Sequence, residues 1–82
     1  MFKHKTSDGK RNISGDKIKE LRKKLSSKTS QRMLAEMMQL KGIDIDKSAI
    51  KCMENGSRYI TDIELKAFCS IFSVSADYLL DI

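Results

Sequence analysis

Apolar residues along the chain fall in short clusters at helical spacing, separated by polar breaks. Ile18, Leu21 and Leu25 recur at i, i+3 and i+7, which places them on one face of a helix. This first helix is predicted to start at Gly15 or Asp16, with Ser14 as its N-cap and Asp16 at the positive end of the helix dipole. Ile13, just ahead of it, is placed to staple the entry. Ser26-Ser27 makes a break, and a second helix starts at Thr29 or Ser30 and ends near Leu40. Its inward stripe is Leu34, Ala35 and Met38, flanked by Met37. Gly42 supplies a C-cap or turn. Ile43-Asp44-Ile45-Asp46 alternates over too few residues for a strand. It reads as an extended turn that tucks Ile43 or Ile45 into the core, with Asp46 as the N-cap of the next helix.

The third helix runs from about Lys47 to Glu54. Ala49, Ile50 and Met53 face inward, Lys47, Ser48 and Lys51 face outward, and Cys52 lies near the edge. Asn55-Gly56 stops it, because glycine accepts the left-handed conformation. Thr61-Asp62-Ile63-Glu64 is a capping box that opens a fourth helix. Its stripe is Leu65, Phe68, Cys69 and Phe72, widened by Ala67 and Ile71. Ser75 caps a short last helix carrying Tyr78, Leu79 and Leu80. Met33, Met37, Met38 and Met53 read as core filler. The expectation is an all-α fold of five short helices over residues 13–82. Residues 1–12 show no periodicity and read as a flexible basic arm.

Composition narrows the function. A chain of 82 residues has room for one domain and few walls for a catalytic pocket. No apolar run approaches the roughly 18 residues that cross a bilayer. The basic N-terminus lacks the apolar stretch of a secretory signal, so a cytoplasmic location is expected. Cys52 and Cys69 fall inside helices and read as reduced, small apolar side chains. His4 is the one histidine, which argues against a metal site. With no glycine-rich phosphate loop and no carboxylate pair beside a plausible pocket, no catalytic residues and no cofactor are expected.

Charge is uneven. Residues 1–28 hold ten Lys and Arg against three Asp and Glu, residues 29–58 five against four, and residues 59–82 one against four. A basic first half suits a polyanionic partner, although a soluble surface explains it as well.

Five stretches together resemble a known family. They are Ile18-Lys19-Glu20-Leu21-Arg22; Ser30-Gln31 with Leu34-Ala35; Ile50 with Met53-Glu54-Asn55-Gly56-Ser57-Arg58; Thr61-Asp62-Ile63-Glu64-Leu65; and Val74-Ser75-Ala76-Asp77-Tyr78-Leu79-Leu80. In this order they resemble the Cro and phage-repressor, or XRE-like, type of helix-turn-helix. The connection from Gln39 to Asp46 is longer than the family's usual turn and resembles an extended-turn subgroup. The resemblance implies a double-stranded DNA partner and a third helix seated in the major groove. Lys47, Ser48 and Lys51 then become base-reading candidates, where spacing alone equally allows a solvated face. Gln31 would bond a phosphate and brace the reading side chains, with Thr29, Ser30 and Lys28 beside it. Asn55, Ser57, Arg58 and Tyr59 would contact the DNA backbone, Arg58 foremost through a two-pronged grip on phosphate. Arg22 and Glu54 would form a structural ion pair.

The implied function is a sequence-specific transcriptional regulator, nucleoid-associated, that represses by occluding a promoter. It would act as a homodimer joined through its C-terminal helices. The alternative is a protein-interaction module, an antitoxin or adaptor, working through Phe72, Val74, Tyr78, Leu80 and Ile82.

Overall fold

The structure is a computed structural model that describes residues 9–26 and 28–82. The first eight residues of the proposed arm and Ser27 lie outside the described residues. Five helices succeed one another: α1 (Gly15–Leu25), α2 (Gln31–Leu40), α3 (Lys47–Glu54), α4 (Asp62–Phe72) and α5 (Ala76–Leu80). Among the described residues there is no strand.

Four helices start where a short polar side chain can reach back to a free backbone N–H. Ser30 accepts from Met33 N, Asp46 from Ala49 N, Thr61 from Glu64 N and Ser75 from Tyr78 N. At Thr61 the capping box is complete, since the Glu64 carboxylate returns to Thr61 N. The ends of α2 and α3 share one device. Gly42 N bonds Gln39 O and Ile43 N bonds Met38 O; Gly56 N bonds Met53 O and Ser57 N bonds Cys52 O. Each is a Schellman turn, which requires a positive φ, and the two glycines supply it at 86° and 83°.

The first helix departs from expectation at both ends. Ser14 sits at the N-cap position, but its side chain makes no capping bond. Its hydroxyl donates to the Leu79 carbonyl at 2.7 Å instead. Asn12 takes over the capping: its Oδ1 accepts from Ser14 N and Gly15 N at 3.1 and 2.8 Å. Ile13 is more than half exposed. Leu25, expected on the inward stripe, is also exposed. The inward position on that last turn belongs to Arg22, which is buried.

Every helix contributes to the core. Ile18, Leu34, Met38, Ile50, Met53, Phe68 and Leu79 are fully buried. Each such side chain stabilises the fold by roughly 1.5–3 kcal/mol before chain entropy is counted. Phe68 and Phe72 stack with ring centroids 6.1 Å apart. Ile45 enters the core from the connection before α3, while Ile43 packs at its margin. Of the four methionines read as filler, Met38 and Met53 fill the core and Met37 lines it, whereas Met33 is exposed.

Candidate nucleic-acid interface

The α2–α3 connection spans residues 41–46. It is six residues long, yet it is tied down. Gln39 Nε2 donates to the Ile45 carbonyl at 2.9 Å, and Lys41 Nζ reaches Ser70 Oγ on α4 at 2.9 Å. Burial of Ile45 anchors the middle of the turn. Thus α3 leaves the turn from a fixed point, with Asp46 capping it.

Periodicity then decides which side chains α3 presents. Ile50 and Met53 point into the core, so Lys47, Ser48 and Lys51 are left on the opposite side, and all three are exposed. Neither lysine forms an ion pair among the described residues. Two ammonium groups one turn apart, with a hydroxyl between them, make a donor-rich surface suited to guanine acceptors or phosphate.

Behind this face lies a buried polar junction. Arg22 Nε and Nη2 grip the Glu54 carboxylate side-on at 2.7 and 3.1 Å. The two side chains are 10% and 3% exposed, so removing either partner strands a charge out of reach of water. The third arm of the guanidinium, Nη1, donates to the Thr29 carbonyl at 2.7 Å. Gln31 Nε2 donates to Glu54 Oε1 at 3.0 Å. One guanidinium therefore joins α1, the segment ahead of α2 and the end of α3, and one carboxylate fixes the Gln31 amide. Thr29, expected at the phosphate backbone, is instead buried and meets this junction from inside.

The start of α2 is open. Ser30 is exposed and engages Met33 N, and the N–H groups of Gln31 and Arg32 have no acceptor within the helix. Lys28 is exposed just ahead of them.

After α3 the chain turns through residues 55–61. Asn55 is exposed and its Oδ1 accepts from Ser57 N at 2.9 Å. Ser57 and Tyr59 are exposed. Arg58 is bound from within: Nη1 and Nη2 each lie 2.9 Å from the Glu64 carboxylate, and Nη1 also donates to the Tyr59 carbonyl. Burial pushes the Glu64 carboxyl up. The Arg58 guanidinium and the Thr61 N–H outweigh that, and hold it below its ordinary value. The hydrogen bonds that Arg58 donates to Glu64 raise the arginine in turn, against the effect of burial. Sequence alone marks Glu64 as a cap; its second partner, six residues back, carries no local signal.

The strand of chain ahead of α1 also escapes a reading by periodicity. Arg11 N bonds Gly56 O, and Arg11 Nη1 donates to Ser57 O at 3.0 Å. Asn12 Nδ2 donates to Met53 O and Arg58 O at 3.0 and 2.8 Å. Arg11 and Asn12, counted with the arm on sequence, are thus bound to the end of α3. One signal is present: Asn caps helices as well as Ser does, and Asn12 stands at the right distance from Gly15.

A helix-turn-helix family model matches residues 18–79. No curated protein and no solved structure matches the chain significantly. Among the described residues no helix is long and apolar enough to cross a membrane, and no cluster of side chains suits a metal ion.

Proposed function

The chain belongs to the helix-turn-helix family of the Cro and phage-repressor type, and from that premise we propose a sequence-specific, double-stranded-DNA-binding repressor that acts by promoter occlusion. The observation that carries the reading is the exposed Lys47–Ser48–Lys51 face of α3, backed by the buried Arg22–Glu54–Gln31 junction. A major groove admits a helix, and a helix held rigidly from behind can aim side chains at base edges. Lys47, Ser48 and Lys51 read bases. Ser30, the free N–H groups opening α2, Gln31 and Lys28 hold the phosphates on one side, as helix N-termini do for anions. Asn55, Ser57 and Tyr59 hold the backbone on the other, in a loop that Arg58 shapes from within. The six-residue connection supports the reading of an extended-turn subgroup, and the proposed location is cytoplasmic.

A homodimer through the C-terminal helices supplies two half-sites about one helical turn apart. Tyr78 and Ile82 are exposed there, beside half-buried Val74 and Leu80, while Phe72 is buried in the protomer's own core. The same apolar exposure favours the second reading, an antitoxin or adaptor that keeps the fold and binds a protein.

Selection of duplexes from a random pool tests the proposal. Enrichment of a palindrome, with affinity falling steeply as salt rises, is the expected result. Weak binding that is flat with salt, together with a stable protein partner recovered in a pull-down, overturns it in favour of the second reading.

A further inference from the structure

Two arginines meet at the loop after α3, Arg58 within it and Arg11 from the segment ahead of α1, and they are used differently. Arg58 is half-buried and commits its guanidinium to Glu64 and the Tyr59 carbonyl. Arg11, 46 residues before Ser57, is exposed and lies against the outer side of the same loop. One of its guanidinium nitrogens donates to Ser57 O, and its carbon sits 5.9 Å from the centre of the Tyr59 ring. A guanidinium has five N–H donors, and Ser57 O is the one acceptor that Arg11 reaches among the described residues.

We propose that Arg11 is the cation of the phosphate-contacting loop, and that Asn12 is the residue that positions it. This rests on the DNA-binding reading above and names a residue it lacked. Three observations support it. First, Arg11 is fixed by its backbone as well as its side chain, since Arg11 N bonds Gly56 O at 2.8 Å. Its guanidinium is therefore delivered to the loop at little further entropic cost. Second, Asn12 uses both amide hydrogens and its carbonyl oxygen to join α3 and the loop to the start of α1. Any rotation of residues 11–12 breaks that set. Third, Asn55 and Ser57 in the same loop are exposed, so the surface beside Arg11 is polar. A planar guanidinium fork on a polar, exposed surface matches a phosphodiester.

The test uses the full chain and a duplex it has selected. Wild type, Arg11→Ala, Arg11→Lys, Asn12→Ala, Arg11→Ala with Asn12→Ala, and Arg58→Ala are titrated at several salt concentrations, and each is melted. For Arg11→Ala we expect roughly tenfold weaker binding, a salt slope about one unit shallower, and a melting temperature close to wild type. Arg11→Lys keeps the slope. Asn12→Ala lowers the melting temperature, and adding Arg11→Ala to it costs little further affinity, because the contact is already lost. Arg58→Ala lowers the melting temperature and leaves the slope as it was. A wild-type slope in Arg11→Ala, or a shallower slope in Arg58→Ala instead, overturns the assignment while DNA binding stands. A wild-type protein that selects no duplex overturns the DNA reading itself.

Discussion

Two arginine–carboxylate pairs flank α3, alike in chemistry and unlike in setting. Arg22–Glu54 lies under the helix, with both side chains almost wholly enclosed. Arg58–Glu64 lies in the loop beyond it, with the arginine about one-third exposed and the carboxylate nearly covered. Both are two-pronged. The enclosed pair joins segments far apart in the chain, so it sets how α1, α2 and α3 meet. The outer pair joins residues six apart, so it shapes one turn. Equal geometry therefore does not mean equal consequence: the dielectric around a pair and the length of chain it closes decide what it does.

The largest effect that separates them is expected at Glu54. Glu54→Ala leaves Arg22 buried without its carboxylate, at a cost of about 3–5 kcal/mol. For a domain of this size each kcal/mol is roughly 4–8 °C in melting temperature, so most of the fold should be lost at 37 °C. Calorimetry decides. A drop of only a few degrees means that water reaches the junction and the contrast with the outer pair fails. The double variant Arg22→Met, Glu54→Leu should recover much of that loss, since apolar replacements of buried pairs are often neutral. If its DNA affinity stays low, the pair's role is alignment rather than stability.

A smaller effect is expected at Glu64. Glu64→Gln should cost about 1 kcal/mol, discounted for the solvent that reaches Arg58. Its signature is pH. The folded carboxyl titrates below its ordinary value of 4.5. Its contribution is therefore fully present above that value and is lost as pH falls through the lower, folded one. Melting temperatures of wild type and Glu64→Gln should differ at pH 7 and converge under acid. Parallel curves down to pH 2.5 would assign the shift elsewhere.

The smallest expected effect on stability is at Gln31. Gln31→Ala removes one bond to Glu54, which keeps both bonds from Arg22, at a cost of about 0.5 kcal/mol, while weakening DNA binding more than that fraction of stability suggests. Comparable losses in both measurements would mean that Gln31 is only a brace.

Local interactions are the ones legible before folding. Ser30, Asp46, Thr61 and Ser75 cap their helices because a side chain and a backbone N–H three residues on are neighbours in any chain that turns helical there. Gly42 and Gly56 mark helix ends for a similar reason. The outward face of α3 follows from the burial of Ile50 and Met53 at helical spacing. Interactions with distant partners escape such a reading. Ser14 has the composition of a cap, but a carbonyl 65 residues away claims its hydroxyl. Arg58 has the composition of a phosphate clamp, and its two bonds to Glu64 across the turn are not announced by any local pattern. Asn12 has no periodic context, and its meaning appears only when the end of α3 arrives beside it. Gly15 belongs here too: a methyl group on it would lie 2.9 Å from the Glu54 carbonyl and closer still to that of Met53. Close approach of α1 to α3 thus needs the small residue, and nothing local announces it.

The Ser14 hydroxyl has a wider consequence. It holds the Leu79 carbonyl, while Lys17 reaches the Tyr78 carbonyl and the Asp81 carboxylate. A five-residue helix has no stability of its own, so α5 persists as an extension of the α1 junction. Opening α5 uncovers a polar group beside Asn12, which in turn secures the end of α3. Amide hydrogen exchange should therefore find α5 and the first turn of α1 opening as one unit. Whatever engages the tail, a second subunit or a protease, then changes how long α3 stays in place.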